Sequence, residues 1–190
     1  MTKTSKREKI VQAATDLLFE VGYEAMSPGK VLARSGAGQG SLYHHFSGKK
    51  ELARTALDEV AERLKSDLLE LFESDMFSPV EKLDQYLAKS RVGLNGCKLG
   101  RLSNEKAFCD DELRVPLQLY FQFALEQVRA QILKAIDEGV YPASTPVDAI
   151  AHLVVAAVQG GYVLAKSTND TSAVNISTSG ARALLKAYRI

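Results

Sequence analysis

A chain of 190 residues, 46% hydrophobic and 25% charged, has the size and composition of a globular protein built as one domain with an appended module or as two small domains. Its formal net charge of +1 excludes no class of partner, but the charge is unevenly spread. Residues 1–50 carry eight Lys and Arg against four acids, a net +4 that leaves −3 on the other 140 residues. A basic end on a mildly acidic body is the asymmetry expected where one end meets phosphate, although a solvated charged face reads the same way.

The N-terminal stretch Thr2 to Lys9 is polar and lacks the apolar core of a signal peptide. Ser5 and Glu8 make a capping box, and Ile10, Ala13, Ala14, Leu17, Leu18 and Val21 give the first helix one apolar stripe, ended by Gly22. Ser27 before Pro28 caps a short helix running to about Ser35. The turn Ser35-Gly36-Ala37-Gly38 leads into a third short helix, Gln39 to Phe46. Ser47 and Gly48 open a long helix with the stripe Leu57, Val60, Leu64, Leu68 and Leu71. Ser78-Pro79 with Glu81 caps the next, which turns Val80, Leu83, Leu87 and Ser90 inward. After the irregular, Gly-rich Gly93–Gly100 come a short helix near Ser103–Phe108 and a long one carrying Leu117, Phe121, Leu125, Val128, Ile132 and Ile136 as far as Gly139.

Thr145-Pro146 opens the most apolar helix, with Ile150, Leu153, Val154, Ala157, Gly161 and Leu164 on one face. Its stretch Val147–Ala165 is interrupted by Asp148, His152, Gln159 and a Gly pair, which suits a buried helix better than a membrane span, so no membrane is expected. Residues 172–188 read as a final helix, although Asn169–Ser179 is polar enough to be a loop before it. No segment alternates with period 2. The expected fold is all-α with about nine helices.

Two short helices joined by a glycine turn and braced by a longer one make a helix-turn-helix. Gln39, Gly40 and Ser41 begin its second helix, where small and amide side chains can approach base edges: Gln pairs with adenine, and Ser serves either donor or acceptor. Leu42 and Phe46 face inward, whereas Tyr43, His44 and Lys49 can reach the flanking backbone. Together with the cap Ser27, these are the candidate DNA contacts. His45 either packs or faces solvent.

The run Gly22-Tyr23, Ser27, Val31, Ser35-Gly36-Ala37, Gly40-Ser41-Leu42-Tyr43-His44-His45-Phe46 and Lys49-Lys50-Glu51-Leu52 resembles the signature of TetR-family repressors. That resemblance implies a DNA-binding head over residues 1–47 and a helical ligand-binding and dimerisation domain over 48–190. It implies further a homodimer through the last two helices, a palindromic double-stranded DNA operator, and release by a small-molecule effector. Gln39 departs from the family, in which Lys is frequent, so base preference does not carry over. Gly160-Gly161 would cost roughly 1 kcal/mol per glycine inside a helix, which close approach of a second helix would justify, the other reading being a helix kink or a tight spot within one subunit.

The segment from Asn95 to Glu105 resembles a Gly-Cys-x-x-Gly-x-Leu-x-x-Glu motif of a TetR-like subset, some of whose members respond to electrophiles, oxidants or aromatic compounds. Arg101 stands where that subset more often has Asn, and Lys166 matches a Lys that it tends to carry. From the residues themselves, Cys97 lies in a Gly-bounded turn before a short helix, near Lys98 and Arg101. Cations and a helix N-terminus favour the thiolate. A small buried residue is the other reading of Cys97, and the expected reading of Cys109. Effector or sensor candidates are therefore Cys97, Lys166, Tyr120, Phe121 and Tyr162, with Tyr86, Phe108 and Phe123 as further aromatics for a pocket.

Two cysteines build no disulfide framework, which makes a reducing cytoplasm the default. With cysteines 12 apart and histidines at 44, 45 and 152, neither a metal site, another cofactor nor a Cys–His catalytic group is expected. The expectation is a DNA-binding repressor and not an enzyme, released by effector or by modification of Cys97; a ligand-responsive activator and, remotely, a cysteine-dependent enzyme are the alternatives.

Overall fold

A computed structural model describes residues 5–190, Asn95 by its backbone alone; Lys3 of the basic end and Thr2–Thr4 of the polar N-terminus lie outside the described residues. Among the described residues eight α-helices succeed one another: α1 (Lys6–Ala25), α2 (Pro28–Ser35), α3 (Gln39–His45), α4 (Lys49–Phe72), α5 (Pro79–Ala88), α6 (Asp111–Asp137), α7 (Val147–Thr168) and α8 (Ala173–Ala187). Three short 3₁₀ helices, Gly93–Asn95, Gly100–Asn104 and Lys106–Cys109, fill the stretch between α5 and α6. The described residues contain no strand, and the all-α expectation stands. The helix expected at 103–108 is instead two 3₁₀ turns, because Glu105 between them is extended (φ −80°, ψ 137°).

The chain forms two compact units. The first holds residues up to Arg63 with Lys98–Leu119, and the second holds Leu64–Cys97 with Tyr120–Ile190. In the first, Ser5 Oγ accepts from the Glu8 amide and the Glu8 carboxylate accepts from the Ser5 amide, closing the capping box at the start of α1. Gly22 (φ +83°) breaks the helix near its end. α2 and α3 both pack on α1, and Val31, Leu42 and Phe46 are buried in this unit together with Ile10, Ala14 and Leu18 of α1. Arg7 lays its guanidinium 5.6 Å from the centre of the Phe46 ring.

In the second unit, Ser78, Pro79 and Glu81 start α5 with a second capping box. Ser90, expected inward, lies beyond the end of α5 and is exposed. α8 packs on α7 and α5, and Asp84 of α5 accepts two hydrogen bonds of 2.8 Å from Arg182 of α8. The loop before α8 covers only residues 169–172, turned by Asn169 in the left-handed region (φ 53°). Val174 and Thr178, expected in a longer loop, are buried on α8.

Helix α7 is, among the described residues, the one long and apolar enough to cross a membrane by length and composition, with mean hydropathy 1.6 over its best window. One of its faces, with Ile150, Val154, Val158 and Ala165, is buried. Leu153 and Leu164, expected on that same face, are 40% and 51% exposed, so the apolar stripe is two faces merged. The two glycines also separate. A Cβ on Gly161 would stand 2.8 Å from Val174 Cα, so α8 crosses there at backbone contact, whereas a Cβ on Gly160 would meet nothing within 4 Å.

Candidate functional site

Helix α3 owes its orientation to its two sides. Leu42 (1% exposed) and the adjoining Phe46 (2%) anchor it in the first unit, which turns residues 39, 40, 43 and 44 outward as one helical face. Gln39, Gly40 and His44 are exposed, Tyr43 is 51% exposed, and Ser41 is half-buried. A Cβ on Gly40 would meet nothing within 4 Å, so the start of α3 presents bare backbone outward. The turn before it depends on Gly36 in the left-handed region (φ +66°), where an L side chain is disfavoured. The Ala37 amide bonds Ser35 Oγ at 3.2 Å and fixes the same turn.

The flanking candidates are more tied down. Ser27 is half-buried and accepts from the Lys30 amide as the cap of α2. The Lys49 ammonium sits 4.2 Å from the centre of the Tyr23 ring and donates to the Glu24 carbonyl at 3.3 Å. His44 and His45 stack edge-on with ring centres 4.9 Å apart. Arg34 pairs with Glu20 at 2.7 Å, which lowers the Glu20 carboxyl below its ordinary range. Lys50 bonds Asp110 at 2.8 Å and Glu112 at 3.2 Å, and these bonds raise its pKa. Part of the basic excess of the first 50 residues is thus matched by acids of the same unit.

The sensor candidates divide between the units. In the second, Cys97 is half-buried and lies within electrostatic reach of Tyr86, Tyr120 and Tyr162. Burial pushes the Tyr86 phenol up to about 12, and Arg91 opposes that rise. Burial also pushes Tyr120 and Tyr162 upward, with Cys97 adding to both. Phe121 is half-buried, its ring 5.1 Å from that of Tyr120. Tyr162 packs on Ala165, Ala173 and Val174; Lys166, one turn further along α7, is exposed. Phe123 lies under the Lys65 ammonium, 6.0 Å away.

The short helix downstream of Cys97 is a five-residue 3₁₀ helix, Gly100–Asn104. Lys98 belongs to the first unit, where its ammonium lies 5.8 Å from the Phe19 ring centre. Arg91, which the sequence pattern does not single out, acts on the tyrosines around Cys97. Its guanidinium donates to the backbone carbonyls of Tyr86 (2.6 Å) and Lys89 (2.8 Å). Phe108, expected among the pocket aromatics, belongs to the first unit and meets Tyr23 edge-on at 6.4 Å. Cys109 is exposed rather than buried. Among the described residues no group of three His, Cys, Asp or Glu is placed to hold a metal ion.

Comparison with known proteins bears on this geometry. Residues 10–56, from α1 into α4, match the family model described as bacterial regulatory proteins, tetR family. A helix-turn-helix-type transcriptional regulator from the lacX 3′ region of Lactococcus lactis is 29% identical over 171 residues, covering 86% of this chain and 85% of that protein. The helix-turn-helix-type transcriptional repressor DhaR of Mycobacterium sp. strain GP1 is 25% identical, covering 87% and 85%. Among solved structures, the reduced form of Escherichia coli NemR superposes with a TM-score of 0.84 at 18% identity over 98% of both chains. A TetR-family regulator from Cytophaga hutchinsonii gives 0.86 at 20% identity, over 100% of this chain and 99% of its own. These two likenesses concern the fold.

Proposed function

Because this chain belongs to the TetR family of DNA-binding transcriptional regulators, we propose that it is a dimeric, cytoplasmic repressor that reads a palindromic operator with α3. The observation that carries this reading is the split character of α3, buried through Leu42 and Phe46 and open through Gln39, Gly40, Tyr43 and His44. Gln39 and Ser41 take the base-edge positions, and Tyr43, His44 and Lys49 the phosphate positions. Ser27 holds the start of α2. Phosphate contacts supply the sequence-independent affinity, so binding falls steeply with salt.

One head covers too little DNA for tight specific binding, and two heads related by a two-fold axis call for a palindrome. The dimer face in this reading is the outer side of α7 and α8. Leu153, Gly160 and Leu164 recur on one side of α7 at intervals of seven and four, and Ile176 and Leu184 are exposed on α8. Such apolar exposure is what a second copy covers.

Release is assigned to the cluster of Cys97, Tyr120, Phe121 and Tyr162 in the second unit, with Lys166 at its margin. A small aromatic effector stacking there, or modification of the Cys97 thiol, favours a conformer in which α4, which supplies residues to both units, no longer holds the heads at operator spacing. Typical coupling of this kind amounts to roughly 1–3 kcal/mol.

A test uses a duplex enriched by the wild-type chain from a randomised pool, read by fluorescence anisotropy against salt. A log–log salt plot of negative slope is expected, together with weaker binding of Tyr43→Ala to every sequence. Adding a quinone or an N-substituted maleimide releases the wild-type chain in this reading, and Cys97→Ser resists. Equal release of both would discard the thiol and leave a non-covalent effector.

A further inference from the structure

Two chain segments bracket the helix-turn-helix. Residues 22–26 lead into Ser27 and α2, and residues 47–54 come after α3. Both are held by one stretch of the same unit, residues 105–112. Glu105 accepts a hydrogen bond from the Tyr23 amide at 2.8 Å, across 82 residues of sequence. Phe108 meets the Tyr23 ring edge-on, and the Lys49 ammonium lies 4.2 Å from the centre of that ring. Beyond it, Lys50 bonds Asp110 and Glu112, and Arg54 donates to the Glu112 carbonyl at 2.7 Å.

These contacts are unequal. The Lys50 pairs are exposed, and exposed ion pairs contribute little. The Glu105 bond is different because the backbone is shaped to receive it. Gly22 takes φ +83°, and a Cβ there would stand 2.6 Å from Glu105 Oε1 and 3.0 Å from its Cδ. The carboxylate therefore occupies space that any other residue at 22 would fill. Its backbone stands extended between two 3₁₀ turns, with the buried Leu102 before it and the buried Phe108 after it. Met26 then bonds back to the Gly22 and Tyr23 carbonyls, so whatever fixes Tyr23 also fixes the entry to α2.

We propose that Glu105 is a positioning residue for DNA binding: seated against Gly22 and bonded to the Tyr23 amide, it sets the approach of the chain to α2 and, through the Tyr23–Lys49 contact, the departure from α3. This rests on the reading of α3 as the DNA-reading helix. The last residue of the Gly-Cys-x-x-Gly-x-Leu-x-x-Glu motif thereby acquires a role of its own, distinct from the thiol at its start.

The test compares Glu105→Gln, which keeps an acceptor at the same reach, with Glu105→Asp, which keeps the charge but shortens the reach, and with Glu105→Ala. Each is titrated by anisotropy against the duplex enriched by the wild-type chain from a randomised pool, and against a random-sequence duplex. The enriched duplex is expected to lose about tenfold in affinity with Ala and Asp and to be restored by Gln, while the random duplex changes less. Should the Ala variant not fold, the Gln and Asp pair decides by the same criterion. Wild-type affinity in the Asp variant, or a loss with Gln as large as with Asp, overturns the proposal. A wild-type chain that enriches no duplex overturns the DNA reading and this one with it, whereas normal enrichment with indifferent variants removes only the role of Glu105.

Discussion

Helices α3 and α7 both present side chains to solvent, and they present opposite chemistry. The outward face of α3 is polar or bare backbone, with Gln39, Gly40, Tyr43 and His44. That of α7 is mainly apolar, with Leu153, Gly160 and Leu164 exposed and His152 beside them. A polar face keeps its hydration when free and suits a hydrated polyanion, whereas an apolar face gains only when another apolar surface removes its water. The contrast teaches that exposure alone does not mark a site; the chemistry of what is exposed selects the partner.

The largest expected effect comes from charging the apolar face. Leu164→Glu should halve the mass seen in sedimentation and weaken binding to an enriched duplex by about a hundredfold or more, since one head alone lacks the required surface. A variant that remains dimeric would break the comparison at its apolar end. Next comes the glycine pair. Gly161→Ala must push α8 away from its backbone contact at Val174 and should cost about 1–3 kcal/mol in chemical denaturation. Gly160→Ala has open space within one chain, so it should leave the fold intact and weaken only dimerisation if a partner helix approaches there.

The polar end is tested by Tyr43→Ala, expected to weaken enriched and random duplexes alike by about tenfold, and by Gln39→Ala, expected to shift base preference at one position of each half-site. The smallest effect belongs to Asp84→Asn. The Arg182 bonds hold the Asp84 carboxyl below the ordinary aspartate range, so their contribution is fully present above that range and disappears as pH falls through the depressed value. With both partners about a third exposed, the loss at neutral pH should be about 1 kcal/mol or less, vanishing in strong acid.

What could be read in the sequence was what is local. Ser5 with Glu8, Ser78 with Glu81, and Ser27 before Pro28 announce helix starts because the bonding partners lie three residues apart, and all three caps form. The burial of Leu42 and Phe46 was legible from their spacing of four. Periodicity failed on α7 because it registers apolar residues without saying what covers them, which merged Leu153 and Leu164 with the buried face. It failed at 103–108 because the extended conformation of Glu105 answers a bond to Tyr23, and no local pattern encodes a partner 82 residues away. Cys97 was legible as distinctive, yet Tyr120 and Tyr162 reach it from helices distant in sequence, and no local pattern marks the nearby Tyr86 and Arg91 as its neighbours.

The most direct test of the central reading is a salt titration of wild-type chain and Tyr43→Ala on the same enriched duplex. DNA recognition through α3 predicts saturable binding by a dimer, affinity falling linearly in log–log form with salt, and a weaker variant at every salt concentration. Saturable binding in which Tyr43→Ala matches the wild type at all salts would contradict it.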